Sequence, residues 1–277
     1  MTVNVVVNTR DGRPVAGLSR ADFEVFDAGA PREIAGFHSE PAPISIAVLF
    51  DISGSMNVVS KLSAARDAVR HLASWLQPGR DRIALFVFDT RLVQLQPFTT
   101  APGEVVDRLD SLRAFGSTAL YDAIAQTGRQ LAAQSGPRRA VVVVTDGADN
   151  HSRSSVRDVS GAASAIDVPV YALEIVSPVD HAGTDAALDR SPDPERLNPL
   201  DDLSRRTGGA LFVASVPAHA SVAVRQIVAE LRQQYVMTFE PGVPAGWHPL
   251  VVRARNTQFV VRARSGYVAG PRVGGQR

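Results

Sequence analysis

Between Pro43 and Ala214, short apolar runs alternate with segments in which apolar residues recur every third or fourth position. Ile44-Ser45-Ile46-Ala47-Val48-Leu49-Phe50 is the first run and reads as a strand buried on both faces. Leu62, Ala65, Val69, Leu72 and Leu76 then mark one apolar face of a helix that Pro78-Gly79 ends. Arg82 to Phe88 predicts the next strand, with Leu92 to Phe98 beside it as an edge hairpin. Residues 103–113 and 119–134 predict helices, and the valine-rich run from Arg139 to Thr145 predicts another buried strand. Ser154 or Ser155 is placed to N-cap a helix reaching about Ile166. Val168 to Val176 reads as a strand, Leu200 to Arg206 as a helix stopped by Gly208-Gly209, Leu211 to Ala214 as a strand and 219–233 as a helix. This alternation predicts an α/β fold, a doubly wound, mostly parallel sheet with helices on both faces.

The pattern differs on either side. Residues 3–7, Phe23 to Phe26 and Ile34 to Phe37 predict strands before the α/β region; 235–240, 249–255 and 258–264 predict strands after it. Neither set can bury its apolar faces alone, so the two are expected to meet in one small β-module. The resulting division is 1–41 for the N-terminal strands, 42–234 for the α/β domain and 235–277 for the C-terminal strands. Val251-Val252-Arg253-Ala254-Arg255 recurs as Val260-Val261-Arg262-Ala263-Arg264. The repeat reads as a β-hairpin with Arg253, Arg255, Arg262 and Arg264 on one face. That face is read as solvated or paired with acids such as Asp22 and Glu24, with an anionic partner as the alternative. Residues 177–198 form a long polar loop whose Asp180, His181, Asp185, Asp189 and Asp193 lack tight ligand spacing.

Composition changes this picture little. The net charge of +1 gives no overall bias toward nucleic acid or anionic membrane. With no cysteine there are no disulfides, thiolate metal sites or thiol nucleophiles. Lys61 is the only lysine, which reads as a compositional habit of an arginine-rich chain. No apolar run is long enough to span a bilayer, and no export signal is legible, since a strand-like pattern starts at Thr2.

The chemistry gathers at strand ends. The first buried strand ends in Asp51-Ile52-Ser53-Gly54-Ser55, the valine strand ends in Asp146-Gly147, and Thr118 opens a helix after Phe115-Gly116-Ser117. In an open parallel sheet, ligands sit beyond the carboxyl ends of the strands. Asp51, Ser53, Ser55, Thr118 and Asp146 are therefore expected to converge there as hard oxygen donors. Such donors suit Mg²⁺, with Mn²⁺ or Ca²⁺ as alternatives. The bland alternative is a metal-free domain in which they are helix caps and turn residues. Asp149 and Asn150 read as turn residues that are also placed to orient water near Asp146, and His151 as an exposed loop side chain. Phosphate-loop, nucleophile-elbow and zinc-helix motifs are missing.

Asp-x-Ser-x-Ser, with Gly-Ser-Thr-Ala-Leu-Tyr-Asp-Ala and Val-Val-Thr-Asp-Gly downstream, resembles the metal-ion-dependent adhesion site of von Willebrand factor A (VWA) domains. The resemblance covers roughly residues 44–233 and implies a Rossmann-like VWA fold. It implies that the serines and threonine contact the metal while the aspartates act directly or through water. Ser117 stands where the family often has Gly. The leader, including Asp11-Gly12-Arg13-Pro14-Val15 and Ala21-Asp22-Phe23-Glu24-Val25-Phe26, resembles bacterial VWA-related proteins of unassigned role. Many of those carry export signals, which implies an extracytoplasmic location, secreted or periplasmic. The expected function is metal-dependent protein binding, adhesive or scaffolding, without catalysis; an Asp or Glu of the partner would complete the metal shell. One alternative is a structural subunit whose metal only stabilises the fold. The other is a metal-dependent hydrolase with Asp149 as base.

Overall fold

The structure is a computed structural model that describes residues 1–58, 60–134, 136, 138–154, 168–176, 198–242 and 245–270. Its centre is strand β5, Ile44–Asp51, buried along its whole length. The four preceding strands are β1 (Thr2–Thr9), β2 (Phe23–Asp27), β3 (Ala30–Arg32) and β4 (Ile34–His38). After β5 come α1 (Lys61–Ser74), β6 (Arg82–Phe88), β7 (Leu92–Thr99), α2 (Gly103–Leu109), α3 (Leu120–Ala132) and β8 (Arg138–Thr145). Then follow β9 (Val170–Ile175), α4 (Pro199–Arg206), β10 (Leu211–Ala214) and α5 (Pro217–Arg232). The chain closes with β11 (Tyr235–Phe239), β12 (Gly246–Ala254), β13 (Phe259–Arg262) and β14 (Gly266–Ala269). The expected helix over 155–166 and the acidic loop over 177–197 lie outside the described residues.

Six strands form the central sheet in the order β10-β9-β8-β5-β6-β7. All neighbours are parallel except β7, which runs antiparallel to β6 at the edge, as the sequence predicts. Successive residues of a strand point to opposite faces, and β5 feeds a core on each. Ile44, Ile46, Val48 and Phe50 pack with α1, α2 and α5, whereas Ala47 and Leu49 pack with α3 and α4. This is the doubly wound α/β fold, with helices on both faces of a mostly parallel sheet.

The flanking strands make two further four-stranded sheets, β13-β1-β11-β4 and β14-β12-β2-β3. Each mixes strands from the two ends of the chain. Val3, Val5 and Val7 share one core with Phe23, Val25, Tyr235, Met237, Phe239, Leu250 and Val252. Phe23, Phe37 and Tyr235 meet within it at ring-centroid distances of 5.3–5.8 Å.

The repeat-based hairpin is not formed. β12 pairs antiparallel with β2 and β14, while β13 pairs with β1, in the other sheet. The four arginines consequently do not share a face. Arg253 lies over the Phe26 ring at 5.2 Å, and Arg255 meets Glu24 at 3.2 Å, the kind of acid anticipated for it. Arg264 is buried and donates to the Thr2 carbonyl at 3.1 Å. Arg262 pairs with the buried Glu230 of α5. Two similar apolar strands carry no information about which edge each will join; edges on β1 and β2 took one apiece.

Glu230 ties the β-strands to the α/β core. It accepts from Asn8 of β1 at 2.8 Å and from Gln226 at 3.0 Å, besides pairing with Arg262. Burial alone would lower the Arg262 pKa, but the Glu230 charge, the nearby Tyr171 and the hydrogen bond to Glu230 together outweigh it and the pKa is raised. Removing one member of such a pair strands the other charge out of water. We expect Arg262→Met to lose about 3–5 kcal/mol of unfolding free energy, and joint replacement with Glu230→Met to recover much of it. Urea denaturation of the two variants checks this; equal stability of Arg262→Met and parent would remove the pair's role.

Candidate metal centre

β5 ends with Asp51 fully buried at the carboxyl edge of the sheet. A buried carboxylate needs donors, and two neighbours supply them. The Ser53 backbone N–H donates to Asp51 Oδ1 at 2.8 Å, and Thr145 Oγ1, at the end of adjacent β8, donates to Asp51 Oδ2 at 2.6 Å. The chain then turns through a single 3₁₀ turn, Gly54–Asn57. Ser53 Oγ and Ser55 Oγ lie 3.0 Å apart, and Ser55 Oγ donates to Asp146 Oδ1 at 3.1 Å. Four of the five expected residues are thus brought into one connected row.

Thr118 is tied to this edge of the sheet by a different route. It is buried, its N–H donates to Asn150 Oδ1 at 2.9 Å, and its carbonyl accepts from Asn150 and His151 N–H. These bonds clamp the Thr118 loop onto the loop that follows Asp146. No hydrogen bond joins the Thr118 hydroxyl to the other four residues. The Phe115–Gly116 loop is stitched to the serine loop as well, through Phe115 N–H to Ile52 O at 2.7 Å and Gly54 N–H to Gly116 O at 2.8 Å. A Cβ on Gly54 would stand 3.1 Å from that Gly116 oxygen, so a side chain there would press the two loops apart by a few tenths of an ångström. Gly147 holds φ at 82°, so the turn that aims Asp146 depends on glycine.

Other sequence assignments resolve plainly. Asp149 Oδ1 accepts from the His151 and Ser152 backbone at 3.3 and 3.1 Å, which makes it a turn residue; His151 is exposed. Two participants were missed from the sequence. Thr145 was visible only as the letter before Asp146. Lys61, at the first position of α1, reaches Asp146 Oδ2 at 3.0 Å. A cation at a helix N-terminus opposes the helix dipole, and that anomaly was the available signal.

All the donors are oxygens, and among the described residues no group of three or more His, Cys, Asp or Glu is gathered to hold a metal. The donor set fits a hard cation bound by hydroxyls and carboxylates, not a soft or borderline one. Burial pushes the Asp51 pKa up to about 6, the hydrogen bonds from Ser53 and Thr145 act against this, and the Asp146 charge adds to the rise.

The segment carrying this geometry also matches known proteins. Residues 46–148 match the family model of the von Willebrand factor type A domain. Among solved structures, an aerotolerance-related membrane protein of Bacteroides fragilis aligns with 21% identity and a TM-score of 0.53, over 67% of this chain and 98% of that one. A von Willebrand factor type A protein of Catenulispora acidiphila aligns with 14% identity and a TM-score of 0.54, over 94% of this chain and 70% of that one. The minor pilin PilB of Streptococcus sanguinis aligns with 14% identity and a TM-score of 0.52, over 71% and 63% of the two chains. No curated protein matches. The α/β core therefore has the fold of VWA-type domains, and the matched segment contains all five of the expected residues.

Linkage gives the metal-free site a measurable signature. The folded protein holds the Asp51 proton more tightly than the unfolded chain, where the carboxyl titrates near 3.8. Its contribution to stability is complete below about pH 4 and is lost as pH rises through about 6. In the presence of chelator, the parent's unfolding free energy should fall across that window relative to Asp51→Asn, which lacks the titration. Parallel pH profiles for the two proteins would falsify this assignment.

Proposed function

We propose that this protein is a metal-dependent protein-binding module, adhesive or scaffolding, and not an enzyme. A divalent ion would be held by Asp51, Ser53, Ser55, Thr118 and Asp146, and a partner's Asp or Glu would complete its shell. The observation that carries the reading is the row of oxygens. An octahedral shell with Mg²⁺–oxygen bonds places neighbouring oxygens about 3 Å apart. The Ser53–Ser55 and Ser55–Asp146 separations are 3.0 and 3.1 Å. Such separations are compatible with Mg²⁺, with Mn²⁺ or Ca²⁺ as alternatives.

When bound, such an ion would supply a hard positive charge. The protein's own residues do the rest: Asp51 and Asp146 balance that charge, and the hydroxyls orient it. Thr145 and the Ser53 N–H keep Asp51 in place. The hydrolase alternative is weakened because Asp149, its best base, is committed to capping a backbone turn. The structural-metal alternative is distinguished by experiment. Similarity to a pilin and to an aerotolerance-related membrane protein supports an adhesive or assembly role outside the cytoplasm. Among the described residues no helix is long and apolar enough to cross a membrane.

Calorimetric titration of chelated protein with Mg²⁺ or Mn²⁺ should show one ion per chain, and binding should be lost in Asp51→Ala. Partner capture should require the ion and fail in Thr118→Ala, whose fold should survive because one lost hydroxyl costs only about 1–3 kcal/mol. Capture that persists in chelator, together with metal binding that only raises the melting temperature, would leave the structural-metal alternative.

A further inference from the structure

Lys61 is the chain's only lysine, and it occupies an awkward place. It is the first residue of α1, where the helix dipole disfavours a cation. No acid in the first turn of α1 and no side-chain cap offsets it. The preceding Ser60 is held at φ 79°, a left-handed conformation that side chains other than glycine rarely adopt. What compensates is Asp146. The Lys61 ammonium lies 3.0 Å from Asp146 Oδ2, with the two side chains only 16% and 3% exposed. The pair is thus largely shielded from solvent screening. Asp146 is shared: Oδ1 faces Ser55 in the oxygen row, and Oδ2 faces the ammonium.

We infer that Lys61 is a built-in counter-cation that competes with a divalent ion for Asp146 and stays beside the filled site, so that it sets the concentration at which the metal centre fills. This rests on the metal-centre reading above. The charges give the reason. With Asp51 and Asp146 ionised, Lys61 leaves the metal-free site with a net charge of one negative. A divalent ion arriving beside the retained lysine makes the site net positive by one. Without the lysine the two carboxylates would neutralise the ion by themselves. Lys61 therefore weakens the ion bound alone and leaves a positive charge that an external carboxylate would balance. A lysine whose role was only to pin α1 would stabilise the fold without opposing the ion.

The test is calorimetric titration of the chelated full chain with MgCl₂ at neutral pH, on the parent, Lys61→Met, Lys61→Gln and Lys61→Arg. Lys61→Met should bind Mg²⁺ about tenfold more tightly, the scale of a hydrogen bond to a charged group. Lys61→Gln, which keeps a donor but no charge, should also bind more tightly and decides the matter if Lys61→Met does not fold. Lys61→Arg, which keeps the charge, should stay near the parent. A second readout is thermal: Lys61→Met without metal should melt below the parent and gain more on adding Mg²⁺. If parent and variants bind Mg²⁺ alike, or the neutral variants bind more weakly, the inference about Lys61 is overturned while the metal centre stands. If none of the four proteins binds Mg²⁺ or Mn²⁺, the metal centre falls and this inference with it.

Discussion

A carboxylate placed at the buried end of a central strand constrains everything around it. Asp51 continues β5 out of a core made of Ile46, Val48 and Phe50, and water does not reach it. Its two oxygens must be satisfied by the protein, because an unpaired buried charge is costly. Thr145 can do so only if β8 lies beside β5 in the observed register, and Ser53 only if the chain turns back at once. The parallel pairing of β5 and β8 and the tight serine loop thus serve one requirement. The same requirement keeps Asp146, the residue after Thr145, at the rim of the site. The sheet acts as a jig: its strand order decides which loops can meet, and main-chain hydrogen bonds among those loops hold the oxygens in their row.

A second buried charge organises the rest of the molecule. Glu230 on α5 is answered by Arg262 and Asn8 from the flanking strands. Supporting bonds lie close by, from Gln226 to the Gly12 carbonyl and from Ser265 N–H to the Arg206 carbonyl. The first and last strands described are therefore fastened to the helices of the α/β core as well as to one another. Pairing β1 with both β11 and β13 leaves neither terminus of the chain to fold by itself. Burial of Tyr235, Phe23 and Val25 in a shared core gives that arrangement its driving force.

The alternation of buried runs with helical spacing determined the α/β core, because strand and helix periods are properties of local sequence. So did the positions of Asp51, Ser53, Ser55 and Asp146: residues directly after buried parallel strands fall at the same edge of the sheet whatever the loops do. The short β3 and β14 were not read, but three strands at each end were equally legible. Partner choice was not. Val251-Val252-Arg253 and Val260-Val261-Arg262 look alike, yet they joined different sheets, since similar apolar faces compete for edges that only the assembled fold presents. The fate of single charges also belonged to tertiary structure. Arg262 looked like a surface residue until Glu230, distant in sequence, was packed against it. Lys61 looked like a compositional accident until the fold set Asp146 within 3.0 Å. Local sequence sets what a residue can donate or accept; which partner it meets, and how dry the meeting place is, depends on chain segments far away and is decided only when they pack.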